Sequence, residues 1–423
     1  HMALDKYYGS RRQFKRVVDE AHARGIAVIL DVVYNHVFSQ SPLAQLYWDG
    51  ANFRPSAENP WLNVTPKHPF NVGYDVNHES EATKTWVKQT LSYWITEFHI
   101  DGFRFDLSKG FTQKNSLGDP GLMAQYDASR IAILKDYSDF IWSVDPDVYV
   151  ILEHFANNDE EQELANYGMM LWGNMHWEFL RAARQQTSNL GWLDYQEREW
   201  NDAHVVGYME SHDEERIVVD LENSGVSLED ALERVETASA IFYLVPGPKM
   251  LWQFGELGFD YSINRCVNGS VNNNCRLDPK PVVWDYLENE DRRELRDVVS
   301  NILDLKKNYP TFSSPDYVFN DGNLYLKTIH FNHEEMDAVV MANFRDVTGN
   351  LNPKFQYEGV WYEYFSGDSL NVTDVAEKIP LTSGEYRIYT SERITPVNGF
   401  TSSLEEVFYA NVAVWPNPVS AGH

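Results

Sequence analysis

Cysteine is nearly absent from this chain: 423 residues carry two, Cys266 and Cys275. Disulfides therefore cannot staple the fold, which must rest on the large core that 43% hydrophobic residues supply. The segment between the two, VNGSVNNN, is short, polar and flexible. The pair either closes a disulfide, as in an oxidising compartment, or stays as two free thiols. Also missing is any apolar run near the roughly 18 residues that a membrane span requires. Positive charge is scarce, with 35 Lys and Arg against 63 Asp and Glu and a net charge of -28. Such a field repels nucleic acid and anionic lipid and favours a neutral or cationic substrate. No secretory signal opens the chain, but His1 and Met2 read as a cloning remnant, so that absence excludes nothing.

What is present is an alternation of helix and strand patterns. Ser10 and Gln13 form a capping box, Phe14, Val17, Val18 and Ala21 make a 3.6-residue stripe, and Gly25 supplies the stop. The run IAVILDVV, 26–33, follows as a strand expected to be covered on both faces. A helix marked by Trp86, Val87, Leu91, Trp94, Ile95 and Phe98 precedes a strand at 102–106; another, marked by Ile131, Leu134, Tyr137 and Ile141, precedes VYVILE. Later come AHVVGYME and KMLWQFG with a helix over 231–243 between them. Helix then parallel strand, repeated, is α/β architecture. Residues 37–78 form a Pro-, Asn- and Trp-rich excursion too long for an ordinary connection, of the kind that shapes a site. Beyond Pro310 short strands separated by Gly, Asn and Asp turns predict an antiparallel β-sandwich.

Four of the strand runs end in clusters of charge: DVVYNH at 31–36, GFRFD at 102–106, ILEHF at 151–155 and MESHDE at 209–214. A parallel barrel presents a carboxylate site at its strand ends in this way. Alternation places Arg104 and Asp106 on one face, with Phe103 and Phe105 on the other. An adjacent guanidinium favours an ionised carboxylate, which suits Asp106 to act as a nucleophile. Glu153 follows Val150, Ile151 and Leu152 and has no cationic neighbour in sequence closer than His154. Its carboxyl is expected to be desolvated and to hold a proton, as a general acid must.

Those motifs, in that order, resemble the four signature regions of the α-amylase family of glycoside hydrolases, over about residues 5 to 396. The resemblance implies a (β/α)8 TIM barrel over 5–36 and 79–312, interrupted by a domain B insertion at 37–78. A C-terminal antiparallel β-sandwich, domain C, would occupy 313–396. It implies retaining cleavage of α-1,4 bonds inside starch-like glucans, with Asp106 as nucleophile, Glu153 as acid/base and Asp213 as transition-state stabiliser. Arg104 would orient the nucleophile, His36 and His212 would hydrogen-bond the sugar, and Lys109 would line the leaving-group side. Asn35 matches a position that supports structural calcium; no organic cofactor is implied. The histidine that commonly follows the lysine is Gly110 here, which bears on both calcium and the leaving-group subsites.

The phrases FRFDL and ESHD are also similar to debranching enzymes, so α-1,6 cleavage or glucan transfer on the same scaffold stays open, as does a non-catalytic glucan-binding protein. The family has two strands before DVVYNH that this chain does not show. Barrel strands 1 and 2 are therefore expected from a removed segment, a fragment or a second chain. Over 397–423, a linker leads to NVAVWPNPVSAGH, which resembles the opening of a type IX secretion sorting domain around Pro416–Pro418. That resemblance implies a secreted or cell-surface protein.

Overall fold

The first helix forms where its capping signals stand. In a computed structural model that describes residues 1–70 and 72–397, α1 spans Arg11–His22, and the Ser10 and Gln13 side chains cap each other's backbone. Strand β1 is shorter than its apolar run and spans Ile29–Val32. Next come β2 (His36–Val37), β3 (Tyr74–Asp75), α2 (Glu81–Phe98), β4 (Gly102–Phe105), α3 (Ala128–Val144), β5 (Tyr149–Leu152), α4 (Asn158–Tyr167) and β6 (Met170–Asn174). The last of these is a strand that the sequence patterns did not single out.

Among the described residues the chain divides into two compact units, His1–Trp172 with Arg198–His204, and Gly173–Glu197 with 205–397. In the first unit β1, β4, β5 and β6 pair in parallel, with Asp31 beside Arg104, Arg104 beside Ile151 and Ile151 beside Met170. β4 is buried along its whole length, as a strand covered on both faces should be. β1 is not. Ile29 and Val33 are more than a third exposed, because among the described residues β1 has one strand neighbour, β4. The expectation of a strand covered on both faces fails there.

The excursion is anchored at both ends. β2 and β3 pair antiparallel, His36 against Asp75, over a small core of Val37, Ala44, Leu62 and Val76. At its exit His78 is fully buried, stacked 3.7 Å from Phe111, with Nε2 donating to Tyr34 O at 3.0 Å and Nδ1 accepting from the Tyr137 hydroxyl at 2.9 Å. Burial pushes its pKa down to about 3, so the ring stays neutral and works as a bracket.

The second unit carries α5 (His176–Ala183), β7 (Val205–Tyr208), α6 (Ile217–Asn223), α7 (Leu228–Leu244), β8 (Lys249–Met250) and α8 (Glu290–Asn308). β7 and β8 pair in parallel. Cys266 and Cys275 form a disulfide in the loop after β8, with Cα atoms 4.9 Å apart. Beyond α8, strands Tyr317–Asn320, Leu326–Phe331, Ala338–Asn343, Gly359–Glu363, Ser369–Val372 and Tyr386–Thr390 build one antiparallel sheet. A smaller pair, Gly349–Leu351 with Ile379–Leu381, lies with it around Val339, Met341, Phe355, Trp361 and Tyr389. Six parallel strands alternating with helices, then an antiparallel C-terminal sheet, are the barrel and sandwich architecture expected. No helix among the described residues is long and apolar enough to cross a membrane. The Pro416–Pro418 segment lies outside the described residues.

Candidate functional site

The parallel register that sets Asp31 beside Arg104 also brings three acids to one guanidinium. Arg104 Nη1 donates to Asp31 Oδ1 at 2.8 Å and to Asp106 Oδ1 at 3.1 Å, while Nη2 pairs with Glu153 Oε2 at 2.9 Å. The guanidinium is 5% exposed and lies 3.9 Å from the centre of the Trp172 ring. Burial alone would lower its pKa, but the charges of Glu153, Asp31 and Asp106 outweigh that and raise it. A permanent cation is thereby held under the carboxylates.

The local backbone turns each acid toward that cation. Asp106 N donates to Val32 O and Glu153 N donates to Phe105 O, both at 3.0 Å, so the ladder continues one residue past each strand. Leu107 then takes a left-handed conformation with φ of 43°, and its N–H donates to Glu153 Oε2 at 2.8 Å. Bulky residues rarely adopt that backbone, and it occurs here between the two acids. Behind them the Ser108 hydroxyl lies 2.9 Å from both Glu153 O and His154 Nδ1. His154 Nε2 meets Glu160 Oε1 at 2.7 Å, and Arg130 grips both Glu160 oxygens at 2.6 Å. This buried chain fixes the strand end from below.

Glu153 corrects the sequence reading. Its expected setting was apolar and free of cations, yet Arg104 contacts it from the neighbouring strand, a relation that chain order conceals. Asp31 pairs with Arg104 while its side chain stays 59% exposed. His36 is buried and its Nδ1 accepts from Asn35 Nδ2 at 3.3 Å. Burial lowers the His36 pKa, against an opposing pull from Asp106. Lys109 is buried too, its ammonium donating to Phe155 O at 2.9 Å, and burial followed by the charge of Arg130 lowers its pKa.

In the second unit, Asp213 accepts from Arg276 Nη2 at 2.6 Å, and the same group donates to His212 O at 3.2 Å. His212 Nε2 lies 3.4 Å from Asp213 Oδ2. Asp213 and His212 are about half exposed, open to a ligand. Arg276, which immediately follows the disulfide cysteine, escaped the sequence reading because nothing in the loop marks it.

Gly110 and Asn35 explain each other. A Cβ on residue 110 would lie 1.9 Å from Asn35 Oδ1 and 2.8 Å from His68 Nε2, so a side chain there would displace both. The surroundings of Asn35 do not suit calcium, which takes six to eight oxygens. The buried donors without hydrogen bonds there are Asn35 Oδ1, Asp75 Oδ1 and the two nitrogens of His68. Beside these oxygens stands an imidazole, with His68 Nε2 3.3 Å from Asp75 Oδ1.

A parallel β/α scaffold whose strand ends gather acids around one buried guanidinium defines a barrel-type protein with its site at the C-terminal ends of the strands. Residues 67–308, more than half of the chain, match the family model described as alpha amylase, catalytic domain, and the chain belongs to that family. Isoamylase SU1 of Zea mays is 36% identical over 120 residues, 27% of this chain and 15% of that protein. Alpha-amylase 3 of Dictyoglomus thermophilum is 24% identical over 281 residues, 60% of this chain and 52% of the relative. The chain thus spans about half or less of these relatives. The α-amylase of Geobacillus thermoleovorans, solved in complex with acarbose, superposes with a TM-score of 0.66 at 18% identity, over 92% of this chain and 83% of that one. That likeness shows the shared fold.

Proposed function

We propose that this protein hydrolyses α-1,4 bonds within starch-like glucans by double displacement with retention. The observation that carries the reading is the single buried guanidinium of Arg104 in contact with both Asp106 and Glu153. Asp106 attacks the anomeric carbon while Glu153, whose Oε2 accepts from Arg104 and Leu107 N, carries its proton on Oε1 and gives it to the departing glycosidic oxygen. Glu153, now a carboxylate, takes a proton from water, which attacks the same carbon and frees Asp106. Asp213 stabilises the positive charge that develops on the sugar, His36 and His212 hydrogen-bond its hydroxyls, and Arg104 orients the nucleophile. Lys109, whose ammonium is spent on Phe155 O, lines the leaving-group side by shaping the wall there. The net charge of -28 suits a neutral polysaccharide.

Likeness to both an isoamylase and an α-amylase supports α-1,6 debranching as the second reading. A glucanotransferase would differ only in the acceptor that attacks the intermediate. The exposed edge and faces of β1 support a barrel completed by further strands, from a preceding segment, a fragment or a second chain. The Cys266–Cys275 disulfide supports an exported protein, secreted or on the cell surface, as does the resemblance of the last dozen residues to a sorting domain. Product profiles on amylose, pullulan and limit dextrin test the function. Oligosaccharides released from amylose and lost with Asp106→Asn support it; no release from any α-glucan, with the barrel completed, overturns it.

A further inference from the structure

The strand end that carries Glu153 runs directly into a strained residue. Phe155 takes a left-handed backbone with φ of 54°, which a bulky side chain rarely adopts and which persists only where its surroundings over-determine it. They do so here by gripping one peptide group at both ends. The Phe155 carbonyl accepts from Lys109 Nζ at 2.9 Å, and the N–H of the same peptide, carried by Ala156, donates to Glu161 Oε1 at 3.1 Å. An ammonium on the oxygen and a carboxyl on the N–H together fix the plane of that peptide.

Glu161 is itself anchored. It stands in the first turn of α4, buried, with Oε2 accepting from the buried Arg198 Nη1 at 3.1 Å. Asn158 on the same helix ties that arm back, its Nδ2 donating to Arg198 O at 2.8 Å and its Oδ1 accepting from Trp200 Nε1 at 3.0 Å. Its neighbour in sequence, Glu160, serves His154 and Arg130, so two consecutive acids of α4 hold alternate residues after Glu153. Burial pushes the Glu161 carboxyl up to about 7, against the charges of Arg198 and Lys109, while Glu160 adds to the rise. Charged or neutral, the carboxyl presents an oxygen to Ala156 N, so the grip does not depend on its titration.

We propose that Glu161 is a positioning residue for the proton transfer: with Lys109 it clamps the Phe155–Ala156 peptide, holds the turn after β5, and so keeps the Glu153 carboxyl aimed at the departing glycosidic oxygen. Enclosed as it is, Glu161 acts through the backbone that follows Glu153. The proposal rests on the roles given above to Asp106 and Glu153.

The test compares two substrates on the full protein with its barrel completed. Maltotetraose needs a proton on its leaving group; α-maltosyl fluoride with added azide does not, since fluoride departs unaided and azide attacks the intermediate without a general base. Glu161→Ala should lower kcat on maltotetraose by roughly 10- to 100-fold with little change in KM, and turnover of the fluoride by less than about threefold. Glu161→Gln should lose thermal stability, because Arg198 loses its charge partner. It should nonetheless keep kcat on maltotetraose within about threefold, because its amide oxygen takes the place on Ala156 N. A merely structural role would not separate stability from rate in this way. Should Glu161→Ala fail to fold, Lys109→Met, which frees the oxygen end of the same peptide, should show the same substrate-selective loss. Glu153→Gln, run in parallel, should lose maltotetraose and keep the fluoride. If it loses neither or both, or if the unmodified protein turns over neither substrate, the reading above falls and this proposal with it. If Glu153→Gln behaves as expected, equal effects of Glu161→Ala or Lys109→Met on the two substrates, or a Glu161→Gln as slow as Glu161→Ala, would overturn the proposal alone.

Discussion

Arg104 Nη2 stands 2.9 Å from Glu153 Oε2, on the neighbouring strand, while its other terminal nitrogen holds Asp106. One planar cation therefore sets the relative position of the two acids. Lysine cannot reproduce a fork that spans them. Arg104→Lys should lower kcat by about 100- to 1000-fold with a much smaller change in KM, as measured on a soluble maltooligosaccharide. An equal loss in KM alone would assign Arg104 to binding.

Glu160 neutralises Arg130 in a core where both side chains are almost wholly enclosed. Burial raises the carboxyl's pKa, and the His154 and Arg130 contacts reverse this to leave it lowered. Glu160→Ala leaves the guanidinium buried without its partner and should destabilise by about 3–5 kcal/mol. Urea denaturation checks this, and a loss below about 1 kcal/mol would show that the pair is dispensable.

Glu236 on α7 borders a cavity of about 720 Å³ that Glu233 and Glu294 also line. Burial, then the charges of Glu294 and Glu233, push its pKa up to about 8. A raised carboxyl binds more protons folded than unfolded, so its contribution is full below the unfolded pKa of 4.5 and is lost as pH rises through about 8. Glu236→Gln should leave Tm near its original value at pH 4 and raise it at pH 9, where the gain in stability is at most about 5 kcal/mol. Parallel pH profiles of the two proteins would refute the assignment.

The disulfide closes a loop of sequence separation 9 and sits directly before Arg276, which holds Asp213. Cys266→Ser with Cys275→Ser should cost about 2 kcal/mol in stability and lower kcat/KM, because Arg276 loses its fixed approach. Arg276→Ala should reproduce the kinetic loss while largely sparing stability, as thermal melts alongside initial rates would show.

Local signals were the legible ones. The capping box of Ser10 and Gln13, the shared face of Arg104 and Asp106, and the acids at successive strand ends all depend on neighbours in sequence, and all appear in the structure. Relations between strands were not legible. Glu153 looks uncharged in its surroundings until register brings Arg104 beside it, and Trp172 on β6 is not marked as the ring beneath that guanidinium. The run 26–33 reads as a buried strand because apolarity does not say which neighbours are present to cover it. His68 and Asp75 went unnoticed within the excursion, since only the β2–β3 pairing and the turn at Gly110 bring them to Asn35.

In the proposed reaction Asp106 attacks, and Glu153 donates and recovers the proton. Proton NMR of the anomeric signals during the first turnovers of a maltooligosaccharide tests it most directly, with Asp106→Asn run in parallel. α-Anomer is expected as the first product, with none from the variant; β-anomer first, or undiminished product from Asp106→Asn, would overturn these roles.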